Sequence, residues 1–201
     1  MQITKECNLA QTVVDLLDGK TIVFPTETSY GLGCDATNQT AVDRVFAIKG
    51  RKSGKPLLVV VPNVEMAKKI LVWNDTLEKL AQKYWPGPLT VVGEYKESEP
   101  ALARGVVVND KTVAVRVTAH PLLVSITEKI NRPLVATSAN LADRGDIYSF
   151  EDIVDQFGHR SRQPDILMNY GVLPKHKPTT IVKVLESGFE VVRSGEITVT
   201  L

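Results

Sequence analysis

Cysteine is nearly missing from this chain: only Cys7 and Cys34 occur, far apart and without a Cys-x-x-Cys pair. Such spacing excludes a disulfide framework, and with His120, His159 and His176 scattered there is no metal-ligand cluster to suggest a structural zinc site. Long apolar runs are absent too. Nothing approaches the ~20 residues of a membrane-spanning helix, and the opening MQITKECNLAQ has neither a basic start with an apolar stretch nor a small-residue cleavage site. The expectation is a cytoplasmic protein with no membrane partner. No Gly-x-Ser-x-Gly elbow occurs and neither cysteine has the context of a nucleophile, so covalent catalysis has no candidate. An excess of one charge is also lacking: 24 basic and 23 acidic residues leave a net charge of +1, so nothing global points to nucleic acid.

What is present is ordinary in bulk and unusual locally. With 201 residues, 43% hydrophobic and 23% charged, the chain can bury a full core and is expected to form one domain over residues 1–201. Between Arg44 and Lys55 stand five basic residues (Arg44, Lys49, Arg51, Lys52, Lys55) and no acid. The stretch Gly50-Arg-Lys-Ser-Gly54-Lys55 imitates a phosphate loop, but it has three residues between its glycines where that loop needs four, and Pro56 where it needs Ser or Thr. Gly31-Leu-Gly33 imitates a dinucleotide turn, yet the position where a ribose-binding acid belongs falls in the basic stretch.

Periodicity divides the chain into alternating elements. Asn8 caps a helix whose inward face is Leu9, Val13, Leu16 and Leu17, and Gly19 ends it. TIVF (21–24) reads as a strand, PTETSYGLG (25–33) as the loop after it, and 39–49 as a helix with Val42, Val45 and Phe46 inward. PLLVVVP (56–62) reads as a central strand, followed by helices over 64–72 and up to Tyr84, where WPGP forbids continuation. LTVVGEY, TVAVRV, RPLVATS, PDILMN, TTIVKVL and FEVVRSG read as further strands, with helices near 121–130 and 150–158. Glu186-Ser187-Gly188 is a hairpin turn and HRSRQ (159–163) a surface loop. The fold class is α/β, a twisted mixed sheet with helices packed against it.

Polar groups and tight turns gather at strand ends, where open α/β sheets place their ligands: in PTETSYGLG, KGRKSGKPL, TVAVRV, ATSAN and VVRSGEI. They offer cations for phosphates and a carboxylate, hydroxyls and amides for orientation, and glycines that let backbone approach a ligand. Glu27 is the one acid in the specialised loop and reads as a capping or surface group rather than a base. Arg116, in an otherwise apolar strand, needs an anionic partner.

The blocks PTETSYGLG, KGR, KPL, WPGPLT, VAVRVTAHP, PLVATSAN and VVRSGEI, in this order from about residue 8 to about 196, resemble the YrdC-like family of threonylcarbamoyl-AMP synthases. The resemblance implies the short, single-domain form and an enzyme that combines L-threonine, bicarbonate and ATP into threonylcarbamoyl-adenylate, releasing pyrophosphate. It implies Mg2+ accompanying ATP, downstream transfer proteins that place the product on transfer RNA, and Lys49, Arg51, Ser138 and Asn140 as the catalytic signature. By the same resemblance, Thr28 and Arg116 bind threonine, while Lys49, Arg51, Thr112, Ser138, Asn140 and Arg193 bind ATP. The chain departs from the family pattern in LADRGDIYSF after Asn140, in Asn169-Tyr170-Gly171, and in Thr179–Lys183. The alternatives are an RNA-binding module using the basic stretch for direct RNA contact, an inactive paralogue, and a related carbamoyl-adenylate domain of hydrogenase maturation proteins.

Overall fold

A computed structural model of the chain describes residues 1–4, 7–51, 56–108, 110–142 and 144–201. Its helices begin where short polar side chains satisfy the first free N–H groups. Asn8 accepts from Gln11 N–H ahead of α1 (Leu9–Leu17), Asn38 from Ala41 ahead of α2 (Gln39–Lys49), and Asn63 from Met66 ahead of α3 (Val64–Ile70). Asn74 and Ser149 do the same for α4 (Asp75–Tyr84) and α6 (Phe150–Phe157), while α5 (Pro121–Ile130) starts on a proline. Helix α2 ends at Gly50, whose φ of 62° is the left-handed conformation that costs glycine least. That stop turns the chain immediately after Lys49 and sends Arg51 in a new direction.

The strands form two mixed sheets. One has β1 (Gln2–Thr4), β9 (Ile166–Met168), β2 (Ile22–Pro25), β3 (Tyr30–Gly33) and β8 (Thr137–Ser138) side by side in that order. The other runs β11 (Phe189–Arg193), β10 (Thr180–Val184), β5 (Leu89–Glu94), β6 (Thr112–Val117), β4 (Val59–Val61) and β7 (Leu134–Val135). The α/β class with helices on mixed strands holds, but two sheets replace the single one expected. The reason is local: RPLVATS, read as one strand, divides at Ala136, with Val135 paired to β4 and Ser138 paired to β3. The second half of PTETSYGLG, read as loop, is β3, antiparallel to β2. Its glycines hid it, and packing explains them: a Cβ on Gly33 would lie 1.8 Å from the Val135 carbonyl oxygen, so only glycine lets the sheets approach there. Strand β1 escaped notice because an exposed three-residue edge strand carries no apolar alternation.

The remaining elements fall where periodicity put them, including the turn at Gly188 (φ 85°) and the exposed segment 159–162. A larger core fills the space around β3, β4, β5 and β6; a smaller one, with Leu16, Phe24, Val60, Leu123 and Ile126, lies under α1 and α5. Among the described residues no helix is long and apolar enough to cross a membrane. The two sheets leave a cleft between them, walled by β3 and β8 on one side and by β5, β6, β10 and β11 on the other.

Candidate active site

The cleft has a volume of about 410 Å³. Of the residues singled out from sequence, Thr28, Arg51, Arg116, Ser138 and Arg193 line it together. Lys49 and Asn140 stand directly behind Ser138, and Thr112, whose hydroxyl donates to Asp110 at 2.7 Å, lies outside the lining. Lys52 and Lys55 are outside the described residues.

The turn between β2 and β3 is shaped by one hydroxyl. Thr26 Oγ1 donates to the Ser29 carbonyl at 2.7 Å and accepts the N–H groups of Thr28 and Ser29 at 3.1 and 3.2 Å. This holds Thr28 and Ser29 at the cleft wall.

Glu27, at the tip of that turn, points the other way. Its Oε1 accepts from Thr118 Oγ1 at 2.7 Å, from Ala119 N–H at 2.9 Å and from His120 N–H at 3.0 Å, at the start of α5. Its Oε2 lies 2.9 Å from Arg116 Nη1. The capping part of the sequence expectation for Glu27 therefore holds, and its main role is as the anion that buried Arg116 required. Burial pushes the Glu27 carboxyl up, but the Arg116 charge and the Thr118 and backbone donors outweigh it and hold the pKa at about 2. Arg116, only 3% exposed, completes no hydrogen bond through Nε or Nη1.

Lys49 is equally buried, at 3% exposure, but its partners are neutral. Its ammonium donates to the Ser138 carbonyl, to the Asn140 carbonyl at 2.8 Å and to Asn140 Oδ1 at 3.0 Å, which uses all three N–H groups. Ser138 Oγ donates to the same Oδ1 at 2.5 Å, and Asn140 Nδ2 donates to the Arg144 carbonyl. Burial first, and then the neighbouring Arg51, lower the Lys49 pKa to about 8, with Asp146 opposing them. Across the cleft, Arg193 Nε and Nη2 donate to the Thr179 carbonyl at 3.2 and 2.9 Å, and Thr179 is bonded to Thr90.

Sequence reasoning passed over Asp146 and read Tyr30 as a core residue, which its burial bears out. Tyr30 is fully buried; its hydroxyl donates to Gly171 O and accepts Tyr170 N–H, both at 3.0 Å, while its own N–H donates to Ile147 O at 2.9 Å. It thus ties together the two segments that depart from the family pattern, a link between distant loops that no local pattern announces. Asp146, in one of those segments, is the carboxylate in the cleft lining among the described residues.

The sequence profile of the Sua5/YciO/YrdC family, described as Telomere recombination, matches residues 15–195. The chain belongs to this family. A relative named threonylcarbamoyl-AMP synthase from Vibrio vulnificus (strain YJ016) is 33% identical over 177 residues, covering 87% of this chain and 92% of that protein. The structure of Pyrococcus abyssi Sua5 complexed with L-threonine superposes with a TM-score of 0.85 at 28% identity, over 96% of this chain but 57% of that one. The chain therefore spans just over half of that longer Sua5. Escherichia coli YciO superposes with a TM-score of 0.82 at 23% identity over 96% of this chain and 93% of its own, a likeness of fold. In Sua5/YciO/YrdC terms, the cleft between the two sheets belongs to the matched region throughout, from Thr26 to Arg193.

Proposed function

We propose that the chain is a threonylcarbamoyl-AMP synthase, a nucleotidyltransferase that joins L-threonine, bicarbonate and ATP into threonylcarbamoyl-adenylate and pyrophosphate for transfer-RNA modification. One observation carries the reading: a cleft lined together by Thr28, Arg116, Arg51, Ser138 and Arg193, in a family whose relatives bear that name.

The chemistry suits such a cleft. The threonine amine and bicarbonate form a carbamate, whose oxygen attacks the α-phosphorus of ATP while pyrophosphate leaves. The carbamate and ATP that react are both anions, so the task is to align them and offset their repulsion, and no protein nucleophile is needed. Arg116 takes the threonine carboxylate, Thr28 orients the amino acid, and Arg51 and Arg193 take phosphate oxygens. Lys49, with its three N–H groups turned inward, shapes the Ser138–Asn140 turn and adds positive potential from behind it. Thr112, outside the lining and with its hydroxyl bonded to Asp110, takes no part in this reading. Magnesium enters with ATP as part of the substrate and supplies charge neutralisation at the phosphates; Asp146 is the carboxylate in the lining able to share it.

The test is pyrophosphate release from ATP with bicarbonate and magnesium, with and without L-threonine. Release that requires threonine is expected; release indifferent to threonine, or none from folded protein, overturns the reading.

A further inference from the structure

Four buried side-chain polar atoms complete no hydrogen bond among the described residues: Glu27 Oε2, Arg116 Nε, Arg116 Nη1 and His120 Nδ1. They belong to three residues that meet at one corner, since Glu27 bonds the His120 N–H and faces the Arg116 guanidinium. Folded proteins rarely leave buried polar atoms unmatched, so a concentration of them at the wall of a cleft calls for a reason.

The two oxygens of Glu27 divide the work. Oε1 is saturated by three donors from Thr118, Ala119 and His120, which fixes the carboxylate in space without help from Arg116. Oε2 sits 2.9 Å from Arg116 Nη1, close enough for strong attraction. A forked carboxylate–arginine pair would occupy two guanidinium nitrogens; this contact occupies Nη1 alone. Arg116 is 97% buried by its 3% exposure and lines the cleft, a position that a bare charge does not hold without a counter-charge.

We propose that Glu27 is a positioning residue for amino-acid recognition: it neutralises Arg116 from the Nη1 side while leaving Nη2 for the substrate carboxylate, and it ties the Thr28–Ser29 turn to the same corner. The proposal rests on the synthase reading. It also makes this end of the cleft neutral overall, suited to a zwitterionic amino acid, while the polyanion belongs at the Arg51 and Arg193 end.

The experiment is calorimetric titration of the full chain with L-threonine and, separately, with ATP. Glu27→Gln keeps the size and the acceptor for the three corner donors but removes the charge. It is expected to weaken threonine binding at least tenfold and to change ATP binding less than twofold. In an Arg116→Gln background the same substitution is expected to add less than a further twofold loss. Glu27→Asp keeps the charge but is too short to reach both partners, so its threonine affinity should fall between wild type and Glu27→Gln, which keeps the test alive if the glutamine variant does not fold. Unchanged threonine affinity in the folded variants, equal loss for threonine and ATP, or an undiminished effect in the Arg116→Gln background would overturn the proposal. Wild-type protein that binds no threonine would overturn the synthase reading and this inference together; wild type that binds threonine alongside an indifferent Glu27 variant overturns the inference alone.

Discussion

Lys49 and Arg116 are two cations buried to the same degree, each 3% exposed, on opposite sides of one cleft, and the protein keeps them by different means. Around Arg116 the compensation is a formal charge: Glu27 stands 2.9 Å away and hydrogen bonding is left open. Around Lys49 the compensation is hydrogen bonding: two carbonyls and an amide oxygen take every N–H, and among the described residues no carboxylate touches the ammonium. A counter-charge favours the ionised state strongly, whereas dipoles only partly replace the water lost on burial. The outcome is two opposite demands on ionisation. Glu27 is held ionised down to about pH 2, while Lys49 gives up its proton near pH 8. The first cation is held by a counter-charge; the second is fixed in direction by its acceptors and conditional on pH.

The harshest way to break this comparison is to remove Lys49. Lys49→Ala strands two carbonyls and Asn140 Oδ1 in a buried site and leaves a cavity, so thermal unfolding should show a loss of about 4 kcal/mol, and threonine-dependent pyrophosphate release should vanish. Full activity with unchanged stability would mean that the inward bonds of Lys49 are incidental. Glu27→Gln tests the other side: it leaves Arg116 buried without a counter-charge, and denaturant melts at neutral pH should report a loss of about 3 kcal/mol. Folding lowers the Glu27 pKa from 4.5 to about 2, so its stabilisation is complete above pH 4.5 and disappears as pH falls to 2. The gap between wild type and Glu27→Gln should close over that window.

A third measurement sharpens the contrast through pH alone. Because folding lowers the Lys49 pKa from 10.5 to about 8, the unfolded chain holds a proton there that the folded chain lacks between those values. The Lys49 contribution to stability therefore rises with pH across the window, while the ammonium that braces Ser138 and Asn140 is lost. Pyrophosphate release should fall about tenfold per unit above pH 8 even as that contribution grows. A rate flat to pH 10 would contradict the Lys49 assignment. The smallest effect is expected from Thr118→Val, which deletes one of three donors to Glu27 Oε1 and leaves the charge pair in place; about 1 kcal/mol in a denaturant melt is the expected loss.

Much of this molecule could be read from the chain because the responsible contacts are short. The caps at Asn8, Asn38, Asn63 and Ser149 each reach three residues ahead, so a polar residue before an apolar rhythm announces them. Arg116 could be recognised as a charge in need of a partner, and the ordered motifs from PTETSYGLG to VVRSGEI marked the segments that meet at the cleft. What escaped was whatever depended on distance or on the second sheet. Tyr30 joins Gly171 across 141 positions, and β3 looked like loop because its glycines serve a neighbour far along the chain.

By itself, then, the sequence determined the capped helices, most strands and the set of cations near the cleft, since each depends on residue type and near neighbours. Only the tertiary structure decided how those cations are kept. It brought Glu27 to Thr118 across 91 positions and Lys49 to the turn at Ser138 across 89, and burial there converts residue type into electrostatic state. Two positive letters became a titratable brace and a counter-charged hook, because Lys49 is buried among dipoles and Arg116 beside a carboxylate.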